Sequence, residues 1–210
     1  MKILFIYIIV FMDYKILVKN NMEDKEIFTF IEGEKVDLVP SNVKYANLYA
    51  KWQNDPKVRK FSRNAMPRSL EEIKKWHEPS DDKGLQDHIV FSIYHKEDKK
   101  LIGVCGLNRI HWFNRSANAF LIIGETDYWN KQIATEATTL LLKYAFEELN
   151  LHRVTGGVAI DNIGSWKVAE KVGFTFEGIS KEDFYVDGKY IDSKRYFYLK
   201  DNWFKKHKTE

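Results

Sequence analysis

The sequence contains a single cysteine, Cys105, among its 210 residues. With one cysteine no intrachain disulfide is possible, and a reducing cytoplasm is the expected location. Cys105 lies within an apolar run, and no histidine or aspartate pattern accompanies it. We therefore predict a buried structural thiol and not a catalytic nucleophile.

The sequence also lacks metal-ligand spacing and a long hydrophobic run. Its six histidines are scattered, so we predict no metal site. The apolar run at residues 3–12 (ILFIYIIVFM) is shorter than the roughly 20 residues of a spanning helix. No small-residue cleavage site follows it. We expect this run to be an added strand, a dimerising segment that would form a homodimer, or the result of a misassigned start, with Met12 or Met22 as later starts. Each of these is expected in preference to a membrane span.

Charge of one sign is not in excess. The 33 Lys and Arg residues are interleaved with 30 Asp and Glu residues, which leaves a net charge of +3. Nucleic-acid binding, which requires a basic stripe or patch, is therefore not predicted. The length fits one domain with one active site. We expect residues 1–30 to be an extension and residues 31–210 to be that domain.

Hydrophobic periodicity predicts a mixed order of strands and helices. A first strand at 35–40 precedes two short helices at 43–55 and 69–78, the first ending at Pro56 and the second beginning with a Ser69 cap. Three β-rich runs at 88–94, 100–112 and 117–124 predict an antiparallel meander. A long helix from about residue 131 to 150, a strand at 153–160 and a helix from Asn162 to Val172 follow, with Gly173 as terminator. Strands at 174–186 and 189–199 complete the order around an Asp-Gly turn.

Two segments combine polar residues with a helix start. Residues 124–132 (GETDYWNKQ) connect a strand to the long helix, whose N-terminal amides could hold a phosphate or pyrophosphate. Residues 159–174 (AIDNIGSWKVAEKVGF) place Asn162 and Ser165 around the next helix start. Each segment alone also has an ordinary interpretation, since strand-loop-helix connections and Asn caps are common.

Taken together and in this order, these segments resemble the GNAT superfamily of N-acetyltransferases. The resemblance is carried by residues 114–154 and 161–178, with GEKVDLVP at 33–40 and WQNDPKV at 52–58 marking the earlier part. Within the superfamily, the chain resembles the branch that acetylates the N-termini of ribosomal proteins. The resemblance implies an α+β fold with a mixed central sheet of about seven strands and about four flanking helices. The fourth and fifth strands would splay apart and admit acetyl-CoA.

The resemblance also implies a coenzyme site. Ile122 and Ile123 would offer strand backbone to the pantetheine amides, and Asn162 would hydrogen-bond the pantetheine arm. Ser165 would stand near the thioester sulfur and act as the acid, because the tyrosine that many acetyltransferases carry four residues later is Ala169 here. The pyrophosphate loop would comprise Trp129, Asn130, Lys131, Gln132, Ile133, Ala134 and Thr135.

Two departures from the family pattern concern the base and the loop. Relatives commonly carry glutamate at the position of Asn118, so Glu182, Asp183 or Asp192 would have to substitute, with Glu182 as the candidate catalytic base. Relatives also have glycine at the positions of Asn130 and Gln132. Asn130 can adopt the left-handed conformation or cap the helix. Gln132 needs only helical dihedral angles if the helix has already begun, so the expected cost is crowding over the pyrophosphate.

The acceptor side is less constrained. Gly156 and Gly157 in the fifth strand predict either a simple bulge or a close approach by ligand. Trp52, Asn54 and Trp76 lie on the early helices that cover the acceptor in relatives, although core packing explains the tryptophans nearly as well. We expect acetyl transfer to a primary amine, first a protein N-terminus, then a polyamine, amino sugar or aminoglycoside. A fold without catalysis that serves as a coenzyme-sensing or interaction module is the alternative.

Overall fold

The structure is a computed structural model that describes residues 27–62, 66–78 and 84–207. Its central sheet has seven strands in the order β1-β2-β3-β4-β5-β7-β6. Every neighbouring pair is antiparallel except β4 and β5, which are parallel. The predicted mixed sheet and its antiparallel meander are therefore confirmed. The strands are β1 Val36–Pro40, β2 Ile89–His95, β3 Lys100–His111, β4 Ser116–Ile123, β5 Arg153–Ala159, β6 Thr175–Val186 and β7 Lys189–Leu199.

Helices follow the strands in the predicted order, with two additions. In the described part of the chain they are α1 Ala46–Asn54, α2 Pro56–Ser62, α3 Leu70–His77, α4 Ile133–Lys143, α5 Ile163–Val172 and α6 Lys200–Lys206. A π-helical turn at Tyr144–Glu148 extends α4. Gly173 ends α5 with φ of 119°, as predicted, because a residue without Cβ enters the left-handed region at little cost.

The two added helices are α2 and α6. Pro56 begins a helix instead of only ending one, because the Asp55 carboxylate accepts hydrogen bonds from the Lys57 and Val58 amides, at 2.8 and 3.2 Å. Proline is favoured at the first helical position, where its missing N–H has no intrahelical role. In α6, Trp203 is buried and donates its indole N–H to Glu147 at 2.8 Å.

Helices cover both faces of the sheet. The larger core lies between the sheet and α4, whose buried face includes Ile133, Ala137 and Leu141. Cys105 belongs to this core with no exposed surface, and burial raises the pKa of its thiol. The structural role predicted for Cys105 is thereby confirmed. A smaller core under α1 and α3 contains Tyr49, Trp52 and Ile73.

The predictions for residues 3–12 lie outside the described residues. Among the residues that are described, no helix has the length and apolar character needed to cross a membrane.

Candidate active site

The centre of the sheet contains a gap. Strands β4 and β5 pair only at Ser116 with Arg153, Ala117 with Val154, and Asn118 with Thr155. Beyond this point β4 continues to Ile123 and β5 to Ala159 without pairing to each other. The predicted splay of the fourth and fifth strands is therefore confirmed, and it leaves backbone groups of both strands available to a ligand.

The backbone N–H and C=O groups of successive β4 residues point alternately towards β3 and towards the gap. The Gly124 amide donates to the Ile102 carbonyl of β3 at 2.9 Å. In an antiparallel strand alternate residues address the same neighbour, so Ile122 also faces β3 while Leu121 and Ile123 face the gap. The prediction that Ile122 and Ile123 both offer backbone to a pantetheine arm is thus corrected to Ile123 and its missed neighbour Leu121. The Ile123 carbonyl already accepts the Trp129 indole N–H at 2.9 Å.

The loop after β4 is built around two left-handed residues. Asn130 and Gln132 both have φ of 63°, and Gln132 is the residue that precedes α4. Asn130 therefore adopts the left-handed conformation that was predicted as one of its options. The prediction for Gln132 was wrong, because α4 begins at Ile133 and not near Lys131, so Gln132 lies outside the helix. It occupies a conformation that favours glycine.

Amide groups at the start of α4 remain directed out of the helix. The first hydrogen bond of the helix runs from the Glu136 amide to the Gln132 carbonyl at 3.2 Å, so the amides of Ile133, Ala134 and Thr135 precede it. These amides and the helix dipole form a site suited to an anion. The Gln132 side chain accepts a hydrogen bond from Lys171 of α5 at 3.1 Å, while the Lys131 ammonium lies 5.1 Å from the Tyr128 ring centre. The amides of Ile133, Ala134 and Thr135 therefore suit a pyrophosphate, whereas Trp129 and Gln132 have partners within the protein.

Helix α5 begins where β5 ends. The Asn162 side-chain oxygen accepts the Ser165 amide at 3.3 Å, so Asn162 has the capping role that was the ordinary interpretation. Ser165 is exposed in the first turn of α5. Ala169 lies further along this helix and packs against the core.

The carboxylates proposed to replace a glutamate at Asn118 all lie on the β6–β7 hairpin. Asp183 accepts a hydrogen bond from Ser193 at 2.5 Å, and Asp192 pairs with Lys181 at 2.8 Å. The bond from Lys181 holds the pKa of Asp192 below its ordinary value. Glu182 is exposed, with φ of 49°, and its amide donates to Asp192 at 3.0 Å. Asp183 and Asp192 are thus occupied by structural partners.

Asn118 itself makes a structural hydrogen bond. It occupies the last paired position before the gap, and its amide donates to the Asn108 side chain at 3.1 Å. An amide cannot accept a proton in place of a carboxylate. Asn118 therefore places a polar side chain that does not titrate on the same face of β4 as Phe120 and Ile122.

A cavity lies on that face of β4, beneath the first three helices. It has a volume of about 580 Å³. Phe120 and Ile122 line it from β4, and Trp76 lines it from α3 with half its surface exposed. We name it the acceptor cavity, and its remaining lining comprises Tyr49, Trp52, Gln53, Val58, Ser62, Lys75, His77, Glu78, His88, Val90 and Val104.

Trp52 combines a structural bond with a place at the cavity. It is 2% exposed, and its indole N–H donates to Glu125 at 2.7 Å. Lys51 donates to the same carboxylate oxygen at 2.7 Å. Burial raises the pKa of Glu125, but the bonds from Lys51 and Trp52 outweigh burial and hold that pKa below its ordinary value. Gly124 makes the contact possible, because a Cβ there would lie 2.1 Å from the Trp52 ring.

The other residues proposed to contact the acceptor differ in whether their surroundings are internal or open. Asn54 donates to the Ala50 and Arg68 carbonyls at 2.8 and 2.9 Å and accepts the Arg68 amide at 3.0 Å, so its side chain joins α1 to the segment before α3. Gly157 makes room for Arg195, whose guanidinium would lie 2.6 Å from an added Cβ, whereas Gly156 faces open space. The bulge interpretation of both glycines was wrong, because β5 pairs with β7 in continuous register.

Tyr49 and His77 are among the cavity residues that sequence reasoning missed. Their rings lie 4.2 Å apart, and the Tyr49 hydroxyl is 2.6 Å from that of Ser92 in β2. Burial lowers the pKa of His77. The available signal was spacing, since Tyr49 lies one helical turn before Trp52 and His77 adjoins Trp76.

Comparison with known proteins identifies the family. The Acetyltransferase (GNAT) domain matches residues 36–175, which is most of the chain. The chain belongs to the GNAT acetyltransferase family. Members of this family use acetyl-CoA as the acetyl donor, in agreement with the gap and the loop. The sequence-level identification of a GNAT N-acetyltransferase is therefore confirmed.

Individual relatives within the GNAT family differ in their named substrates. The chain is 28% identical to N-acetyltransferase p20 of Bacillus licheniformis, a match covering 80% of this chain and 94% of p20. It is 35% identical to a spermidine N(1)-acetyltransferase of Vibrio cholerae, over 50% of this chain and 60% of that one. It is 37% identical to YdaF of Bacillus subtilis, a candidate ribosomal N-acetyltransferase, over 50% and 57%. The matched region therefore spans little more than half of the last two relatives.

A solved GNAT structure supports the fold independently. The spermidine N-acetyltransferase of Vibrio cholerae in complex with CoA and spermine superposes with a TM-score of 0.74. The match covers 81% of this chain and 99% of that one at 24% identity. At this identity the likeness establishes the fold alone.

Proposed function

We propose that this GNAT protein acetylates the α-amine of a peptide or protein N-terminus. The observation that carries the proposal is the chemistry of the acceptor cavity, which is walled mainly by aromatic and aliphatic side chains. A peptide terminus brings one positive charge together with apolar side chains. Such a ligand gains from apolar burial and needs few charged partners.

A polyamine is the second candidate, because the Vibrio cholerae relative and the Vibrio cholerae structure above are both named for spermidine. Its amines are protonated at pH 7, since their pKa is near about 10, so a polyamine-binding cavity needs several carboxylates. Among the described residues that line the acceptor cavity, Glu78 is the one carboxylate, and Lys75 contributes an opposing charge. The described lining therefore favours a singly charged amine.

The residues present suit acetyl transfer to an α-amine. Acetyl-CoA brings a thioester, whose attack requires a neutral amine, a hydrogen-bond donor for the developing oxyanion and a proton for the departing thiol. Ser165, exposed at the start of α5, is the proposed proton donor. An α-amine with pKa of about 8 is already roughly one tenth neutral at pH 7, whereas a lysine-like amine is almost wholly protonated. A site with asparagine at position 118 therefore serves an α-amine better.

The test measures free-thiol release with three acceptors at equal concentration: a peptide amide with an apolar second residue, spermidine and an amino sugar. We expect kcat/KM to be highest for the peptide. A thermal-shift titration comes first, because a ligand of the native state raises its stability. No shift with millimolar acetyl-CoA would favour the non-catalytic binding module.

A charge swap at the cavity sharpens the test. Lys75→Glu adds a carboxylate to the cavity lining, while Lys74→Glu makes the same change one residue away, outside that lining. We expect Lys75→Glu alone to raise spermidine turnover relative to peptide turnover. Wild-type turnover of spermidine above that of every peptide would contradict the proposed function.

A further inference from the structure

A second cavity adjoins the acceptor cavity. It has a volume of about 600 Å³, and both cavities are lined by Trp76, His77, Glu78, His88 and Val90. We name these five residues the shared wall. Leu85, which is 76% exposed, lines the second cavity only, so that cavity opens to the surface.

The shared wall lies two strands away from the gap. Val90 of β2 is in register with Gly106 of β3, which is in register with Phe120 of β4. Neighbouring strands lie about 4.8 Å apart, so Val90 of the shared wall is about 10 Å from β4. An extended peptide advances about 3.4 Å per residue. A peptide whose α-amine lies over β4 would therefore reach the shared wall with its third residue.

His77 offers a hydrogen-bonding group at this point. Its ring nitrogen Nδ1 is buried and has no hydrogen-bond partner among the residues that the structure describes. The ring packs against Tyr49 with an interplanar angle of 34°. The Tyr49 hydroxyl is itself held by Ser92 at 2.6 Å and by the Asn42 amide at 3.3 Å. A buried polar group without a partner is unfavourable, and a peptide backbone group would supply the missing partner.

The second cavity also suits a continuing peptide. Phe30 and Tyr144 provide aromatic surface over the buried ring of Phe91, with the three ring centres 5.4 to 5.5 Å apart. Asp87 and Gln86 add polar groups at the other side. This mixture matches an apolar side chain attached to a polar backbone.

We propose that the acceptor peptide continues past the shared wall, hydrogen-bonds His77 through the backbone of its third residue, and places the next residues in the second cavity. This inference rests on the proposed function and extends it. A free small amine would occupy the acceptor cavity alone. The protein would therefore read several residues of its substrate and not only the first.

A ladder of peptide amides from two to six residues tests the inference. In the wild type we expect kcat/KM to rise about tenfold between the dipeptide and the pentapeptide and then to level off. His77→Phe keeps a ring that can stack on Tyr49 but removes both ring nitrogens. This variant should lose roughly three- to tenfold for peptides of three or more residues, as expected for one hydrogen bond, and little for the dipeptide.

Two further variants separate the subsite from the fold. Leu85→Ala changes an exposed side chain of the second cavity and should lower the ratio of pentapeptide to dipeptide turnover. Phe113→Ala, which removes a side chain that is 92% exposed and lines neither cavity, is the matched control and should leave that ratio unchanged.

The outcomes distinguish the two proposals. Peptide acetylation with no dependence on length overturns the subsite and leaves the proposed function intact. Acetylation of small amines with no turnover of any peptide overturns both. An unchanged length dependence in His77→Phe overturns the role of His77.

Discussion

Replacing Gln132 by glycine should stabilise the coenzyme loop and tighten acetyl-CoA binding. Gln132 has φ of 63° and ψ of 3°, a left-handed conformation that costs a residue with Cβ about 1–2 kcal/mol. Glycine removes that cost but adds about 0.4–1 kcal/mol of unfolded-state entropy. It also loses the exposed hydrogen bond from Lys171. The expected net gain in unfolding free energy is about 0–1 kcal/mol, or up to roughly 4 °C in Tm.

The gain in coenzyme affinity has a different origin. The Gln132 side chain is bonded to Lys171 of α5 and directly precedes the α4 amides. We expect this side chain to be displaced by a bound pyrophosphate, at a cost of about 0.5–1.5 kcal/mol. Its removal should lower the Kd for acetyl-CoA by about three- to tenfold. Thermal unfolding of the free protein measures the first effect, and calorimetric titration with acetyl-CoA measures the second.

Two control variants separate strain from crowding. Gln132→Ala keeps the Cβ and its left-handed strain but removes the rest of the side chain, so it should improve affinity without the gain in Tm. Asn130→Gly relieves less strain, because asparagine tolerates the left-handed region better than glutamine does. The reasoning is refuted if Gln132→Gly leaves acetyl-CoA affinity unchanged or weakens it.

Three other predictions concern the active site and its supports. Ser165→Ala should lower kcat by about 10²-fold while changing the Kd for acetyl-CoA less than twofold, and the reverse pattern in steady-state kinetics and titration would make Ser165 a binding residue. Asn54→Ala should lower the unfolding free energy by roughly 1–3 kcal/mol through its lost backbone hydrogen bonds, and a denaturant titration that shows no loss would contradict its structural role. Burial lowers the pKa of His77 in the folded protein below the unfolded-state value of about 6.5. The unfolded chain therefore binds the proton more readily, and stability decreases as the pH is lowered from about 6.5 until the lower folded pKa is passed. His77→Gln should flatten this fall in Tm below pH 6.5.

The fold was largely predictable because its elements are specified locally. Alternating apolar residues predicted β2 to β4, and Gly173 marked the end of α5. The start of α4 was not predictable in the same way. Apolar periodicity begins at Ile133, where α4 starts, but the helix was predicted from about Lys131, and no local pattern indicates that Gln132 is left-handed. Element boundaries depend on packing partners that a local pattern does not contain.

The site was predictable where it uses backbone and less so where it uses side chains. The loop and Asn162 follow from a strand, a turn and a helix cap in sequence. The acceptor cavity instead depends on which side chains of α1 and α3 face β4. Asn54 and Trp52 are residue types that often bind ligands, yet their hydrogen bonds are to other groups of the protein. His77 has no motif, and only its position between two cavities distinguishes it.

The coenzyme loop and the acceptor cavity are joined by shared contacts. Glu125, just after β4, accepts hydrogen bonds from Lys51 and Trp52 of α1, and Trp52 also lines the acceptor cavity. The ring of Phe61 in α2 meets the loop residue Trp129 edge to face at 5.6 Å. We expect a change that reshapes the loop to affect two of the three helices that cover the acceptor cavity. Because binding energies of coupled sites are reciprocal, bound acetyl-CoA should raise affinity for the acceptor by the same factor as bound acceptor raises affinity for acetyl-CoA.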